Sequence, residues 1–179
     1  EFRRVLFRSE EQVLQLLRTS AKLDVDIKNN QVHVGVENVG AGHHLPTGVA
    51  DFRELWLDIT ITDANNKIVF SSGKLAENGD LQADARPFMK VFGDKDGNPV
   101  GLLFWKYEKL LSDTRIPAKT RRVESYDLEK NLNYPLKVNV KLNFRIYPQS
   151  ITSMVQKAFP ELPNPPVVEL ENIEQIFKK

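Results

Sequence analysis

Residues 10–22 carry a helical pattern. Val13, Leu14, Leu16, Leu17 and Ala21 recur at three- and four-residue spacing, with Glu10, Glu11, Gln15 and Arg18 between them. Ser9 and Gln12 have the form of a capping box. From Leu23 the period drops to two. Leu23, Val25 and Ile27 alternate with Asp24, Asp26 and Lys28. Asn29-Asn30 is a turn signal, and Val32, Val34 and Val36 then alternate with His33, Gly35 and Glu37. This predicts a hairpin with His33 on the face opposite the valines. A loop over 38–51 follows. Residues 52–62 predict a strand with Leu55, Leu57, Ile59 and Ile61 on one face, and residues 67–72 predict its return. Residues 73–85 read as irregular. Further strands are predicted over 86–92, 102–107, 120–128 and 136–147. The last has the cleanest alternation: Leu136, Val138, Val140, Leu142, Phe144 and Ile146.

After Tyr147-Pro148 the pattern changes again. Residues 150–159 predict a short amphipathic helix bearing Ile151, Met154, Val155 and Ala158. Pro160, Pro163, Pro165 and Pro166 then forbid helix and central strand, which predicts an extended surface arm. Residues 167–170 read as an edge strand. Seven or so short strands separated by turns predict a mainly β fold. Its form is an antiparallel β-sandwich with a leading helix, a short C-terminal helix and a Pro-rich arm.

Composition narrows the function classes. The 179 residues include 25 Lys+Arg against 24 Asp+Glu, so no broad basic footprint for nucleic acid exists. Hydrophobic residues make up 41%, enough for a core in one domain of this length. There is no Cys. That excludes a disulfide framework, a thiol nucleophile, a Cys-ligated metal and covalent haem attachment within this chain. No apolar run is long enough to span a membrane. Val5-Leu6-Phe7, interrupted by Arg8, is too short for a signal-peptide core. No G-x-S-x-G, Walker, G-x-G-x-x-G or H-E-x-x-H motif occurs. The fragment itself is not expected to be catalytic.

Residues 1–9, EFRRVLFRS, resemble the in-frame translation of a common short-read sequencing adapter at all nine positions. They are read as a non-native scar on a fragment assembled from environmental DNA. Without Glu1, Arg3, Arg4 and Arg8, 22 basic and 23 acidic residues remain. On this reading 10–22 is the tail of a missing upstream region, and 23–179 is the sandwich domain with its C-terminal arm.

The segment richest in chemical signal is Gly40-Ala41-Gly42-His43-His44-Leu45-Pro46-Thr47-Gly48. Its glycines and proline impose a particular backbone path and leave room for a bulky planar group near the backbone. Adjacent side chains in an extended loop point to opposite sides, so His43 and His44 do not readily grip one metal together. With Asn38 and Val39 the segment resembles the N-x-G-A-G-H-x-[LF]-P-T-G loop of multihaem c-type cytochromes of the cytochrome c554-like group. These are exported bacterial electron-transfer proteins. Asp51-x-Arg53-x-x-Trp56-Leu57, Asp63-Ala64, Ser72-Gly73, Arg115-Ile116-Pro117, the stretch Arg145 to Gln149 and Pro165-Pro166-Val167-Val168-Glu169 extend the likeness. It covers about residues 38–170.

The resemblance implies a β-sandwich that follows a haem-bearing region of C-x-x-C-H motifs. This chain has no such motif. The implied c-type haem is therefore held by the missing upstream region, with none bound covalently here. The resemblance makes His43 a candidate axial ligand to haem iron, because a neutral imidazole nitrogen suits that position. His44 is a second candidate at the domain junction, and Arg53 is a candidate partner for haem propionates. The alternative for His43 is a purely structural role in the loop. The implied partners are the chain's own upstream haem domain and redox proteins, in the periplasm or outside the cell.

Other residues admit plainer readings. Asp94, Asp96 and Asn98 offer oxygen ligands at alternate positions, a weak calcium pattern that lacks the spaced Glu of an EF-hand. Asp96-Gly97 equally predicts a turn. Glu77, Asn78 and Asp80 form a weaker oxygen cluster. Trp56 and Trp105 read as packing within strands, with sugar stacking as the alternative. Asp51, Arg53 and Glu54 flank the histidine loop and can pair around it. Lys119, Arg121 and Arg122 read as a solvated strand end. The competing functional class is a stand-alone sandwich module that binds a carbohydrate or a protein. A copper site at His43 and His44 is a third, disfavoured by the missing Cys.

Overall fold

The computed structural model describes residues 11–49 and 51–179. Helix α1 covers residues 11–18. The strands are β1 (Ala21–Lys28), β2 (Gln31–Asn38), β3 (Glu54–Thr62), β4 (Ile68–Ser72), β5 (Lys90–Gly93), β6 (Lys109–Asp113), β7 (Arg121–Asp127), β8 (Leu136–Arg145) and β9 (Val168–Phe177). Helix α2 is Gln149–Gln156. The capping box at Ser9 and the scar at 1–9 lie outside the described residues.

Two antiparallel sheets form the sandwich. One is ordered β1-β2-β7 and the other β4-β3-β8-β9. β1 also lies close to β9, so the layers meet along one side. The alternating positions supply the core. Val32, Val34 and Val36 face Leu55, Ile59, Ile61, Leu136, Val138, Val140 and Leu142, all fully buried. Each such side chain contributes about 1.5–3 kcal/mol relative to exposure. His33 lies on the opposite face of β2, half-buried, with its Nδ1 2.7 Å from Ser125 Oγ on β7.

The outer face of the four-stranded sheet is not left to solvent. Residues 73–85 cross it. Trp56 there is fully buried, and its Nε1 donates to Gly73 O at 3.0 Å.

Several expected elements differ. Residues 102–107 are not a strand. They hold a one-turn 3-10 helix, Phe104–Lys106, and the strand begins later, at Lys109. Trp105 is consequently not packed inside: it is 68% exposed. The strand expected over 86–92 is confined to β5. The leading helix ends at residue 18, because the alternation of β1 already starts at Ala21. The edge strand expected over 167–170 extends to Phe177 and pairs along β8. The arm over 160–166 opens on a turn, where Leu162 N donates to Phe159 O at 3.2 Å, and then runs without regular secondary structure to β9, with Pro165 buried rather than on the surface.

Helix α2 is inverted. Gln149 and Thr152 are buried, whereas Met154 and Val155 are exposed. Hydrogen bonds lock this orientation. Gln149 Nε2 donates to Asn164 Oδ1 at 2.8 Å and Gln156 Nε2 to Leu162 O at 2.6 Å. The polar face thus holds the Pro-rich arm, and the apolar stripe is turned outward.

Candidate functional site

The loop that follows β2 is suspended between two anchors. On one side, Val39 N and Gly40 N both donate to Ser20 O, at 3.0 and 3.1 Å. This ties the loop to the end of α1. A Cβ at Gly40 would run into the carbonyl of Thr19, so glycine is required for the chain's own helix end to approach. On the other side, Leu45 and Ile116 exchange two backbone hydrogen bonds, at 2.8 and 2.9 Å. The buried Asn38 closes the loop. Its Nδ2 donates to His43 O at 2.7 Å and to Ile116 O at 2.9 Å. Gly42 and Gly48 sit at φ 71° and 76°, in the left-handed region. The Leu45–Pro46 bond is cis.

Both histidines are exposed. His43 Nδ1 lies 2.9 Å from His44 O. A carbonyl only accepts, so Nδ1 carries the proton, and the neutral ring then presents Nε2 as a free lone pair. His43 borders a hollow of about 390 Å³ that is also lined by Leu16, Leu17, Leu45, Arg53 and Phe144. His44 does not line it. The structure therefore brings His43 and Arg53 to one concavity beside α1. Arg53 Nη1 donates to Ile146 O at 2.6 Å, which fixes the guanidinium at the rim.

Glu54 does not pair with Arg53. It pairs with Arg145, whose Nε donates to Glu54 Oε2 at 2.6 Å. The two arginines near 120 are also taken up. Arg121 binds Asp24, and Arg122 Nε donates to Glu124 Oε1 at 2.8 Å.

Asp94, Asp96 and Asn98 lie far along the chain in the 94–98 turn. Asp94 Oδ1 accepts from Asp96 N at 3.0 Å and from Asn98 N at 2.9 Å. Asn98's N–H, more than any other group, holds the Asp94 carboxyl below its ordinary range. The carboxylate is thus turned inward onto its own turn. Asn78 and Asp80 bond each other in a similar way, Asn78 Nδ2 donating to Asp80 Oδ2 at 2.8 Å. Among the described residues, no group of three or more His, Cys, Asp or Glu side chains is gathered to hold a metal ion. No helix among them is long and apolar enough to cross a membrane.

The hollow is lined by His43, Arg53, the hydroxyl residues Ser20 and Thr47, and apolar walls. That chemistry fits the edge of an amphipathic planar group such as haem, with iron at its centre and carboxylates at its rim. Two contributors were not singled out as site residues by the sequence: Asn38, which holds the loop, and the apolar side chains of α1. Asn38 carries a signal, since it is a polar residue ending an apolar strand directly before a glycine-rich loop.

No protein-family model and no curated protein matches the chain. Its fold is similar to that of a penta-haem cytochrome c552 from Thermochromatium tepidum, with a TM-score of 0.65 and 21% sequence identity. The likeness covers 92% of this chain and 41% of that one. The chain thus has the fold of part of a multihaem cytochrome and spans less than half of that protein's length.

Proposed function

We propose that the chain is the non-haem sandwich domain of an exported multihaem c-type cytochrome and supports electron transfer by covering haem. The observation that carries this reading is that His43, its Nδ1 turned to His44 O, lines a hollow beside α1 together with Arg53. The fold likeness to a penta-haem cytochrome over 92% of the chain supports the same reading. On it, haem held by an upstream region supplies the redox chemistry. This chain's residues position and shield. His43 Nε2 serves as a distal axial ligand, its ring oriented by the Nδ1–H bond to His44 O. Arg53 faces the propionates. Leu16, Leu17, Leu45 and Phe144 exclude water and lower the local dielectric. Redox partner proteins and a periplasmic or extracellular setting follow from the same reading.

A second reading draws on Trp105 and Phe104, both exposed, as a sugar-binding surface. Their rings meet at 80°, edge to face, which is not the flat platform that sugar stacking uses.

The test is the source gene. Sequencing it upstream of the codon for Glu10 is expected to reveal several C-x-x-C-H motifs, and their absence would overturn the cytochrome reading. In the complete protein, His43→Ala is expected to convert one low-spin haem to high spin in the visible spectrum. An unchanged spectrum would remove His43 from the ligand set.

A further inference from the structure

β5 and β6 form a two-stranded sheet of their own, outside both layers of the sandwich. An isolated two-stranded ribbon is marginal in water. All five residues of β6 are exposed, Leu110 at 54%. The connection before β6 adds exposed Leu103, Phe104 and Trp105. No strand among the described residues pairs with the outer edge of β6. β6 is a short edge with Lys109 and Asp113 at its ends and a bulge at Leu111, features that oppose unspecific strand addition and favour a register in which those charges pair. The register between β5 and β6 passes from Ser112 to Leu110 and skips Leu111, whose side chain covers Gly93.

We propose that β6 is a self-pairing edge, joining antiparallel to β6 of a second copy across a two-fold axis at Leu111. The segment Lys109-Leu110-Leu111-Ser112-Asp113 is self-complementary in that register. Lys109 faces Asp113 of the other copy twice, and Leu111 meets its own equivalent on the axis. Cross-strand opposite charges and apolar pairs both stabilise such a ladder. Moving the axis half a residue toward Leu110 puts Glu108 opposite Asp113, a like-charge pair. Asp113 is already bound to Arg115, whose backbone N, Nε and Nη2 all donate to it. A carboxylate accepts about four bonds, so one place remains for Lys109. The result is a four-stranded sheet, β5-β6-β6-β5, closed by symmetry as an isologous contact. It shields Leu110 and Leu111, and Phe104 and Trp105 flank it.

Sedimentation velocity of the chain, from low micromolar to near-millimolar concentration, tests this. The expected result is a reversible monomer–dimer equilibrium. Leu111→Lys and Leu111→Glu each place like charges on the axis and are expected to be monomeric. Their equimolar mixture is expected to dimerise, because the axis then joins unlike charges. Lys109→Asp, at an exposed position whose Nζ also donates to Lys95 O at 2.6 Å, is expected to weaken the dimer about tenfold. A parent chain that stays monomeric throughout overturns the proposal. So does a dimer that survives both Leu111 substitutions, or a mixture no more associated than its components. Far-UV circular dichroism identical to the parent's separates loss of pairing from loss of fold. Should a Leu111 variant fail to fold, the Lys109→Asp result decides alone.

Discussion

Arg145 and Glu54 stand directly opposite each other in the β3–β8 register, on the outer face of the sheet, with Arg145 only 2% exposed. Arg145 Nε donates to Glu54 Oε2 at 2.6 Å, and Nη2 contacts the same oxygen. Nη1 donates to Gly79 O at 2.7 Å, which fastens the irregular 73–85 segment over the sheet. The cation also lies 5.7 Å from the centroid of the Trp56 ring. Removing one partner of such a pair leaves an uncompensated buried charge, which costs more than the pair itself contributes. Glu54→Ala is therefore expected to lower the unfolding free energy by about 3–5 kcal/mol. Glu54→Ala combined with Arg145→Met is expected to recover part of that loss. Urea denaturation of the two single variants and the double variant measures the coupling. A single-variant loss under about 1 kcal/mol would show that the pair is solvated rather than buried.

Gly73 and Gly42 separate two uses of glycine that look alike in the sequence. Both sit at positive φ, 77° and 71°. At Gly73 a Cβ would also stand 3.0 Å from the Leu57 carbonyl carbon and nearer still to its oxygen. That neighbour is backbone and cannot swing away. At Gly42 nothing lies within 4 Å. Gly42→Ala is expected to cost only the left-handed penalty, about 1 kcal/mol. Gly73→Ala is expected to cost about 3 kcal/mol or more, because strain adds to the clash and disturbs the Trp56 hydrogen bond. Thermal denaturation of the two variants gives the ranking, and equal costs would overturn it.

The sandwich was legible wherever the period of two ran unbroken. Val32, Val34 and Val36, and Leu136 through Leu142, announced their buried face directly. β9 was cut short in the sequence reading because it does not alternate. The period breaks at Leu170, which the β8–β9 register skips as it passes from Glu171 to Glu169 across a bulge. Beyond it Ile173 and Phe177 stand opposite Val140 and Leu136, polar Gln175 interrupts them opposite Val138, and exposed Ile176 lies opposite Lys137 on the outer face. β6 escaped for a similar reason, since Leu110 and Leu111 are adjacent and Leu111 is skipped by its partner strand. Trp105 was misread because a large aromatic side chain weighs toward the core in any pattern argument, and only tertiary placement decides. At the site, the glycine- and histidine-rich loop stood out by composition. That His43 shares a hollow with Arg53 and α1 did not, because the contact joins segments that no local period connects.

Tyr126 is expected to contribute to the loss of stability of the sandwich at alkaline pH. It faces inward from β7 opposite Val32, 5% exposed, with the Arg86 guanidinium 4.4 Å from its ring centroid. Burial pushes its phenol up to about 12 from the ordinary 10.0. Arg86 pulls it down, whereas Glu124 and Asp84 push it further up. A group whose folded pKa is raised stabilises the fold fully below its unfolded pKa and loses that contribution as pH rises through the folded value. The window here runs from about 10 to about 12. Across it the unfolding free energy is expected to fall by an amount on the order of 2 kcal/mol through this group alone. Tyr126→Phe keeps the ring and removes the titrating hydroxyl, so its stability should be flat where the parent's declines. Ultraviolet titration should likewise lose one phenolate step near pH 12. An alkaline decline of equal size in the variant would assign the loss to other groups.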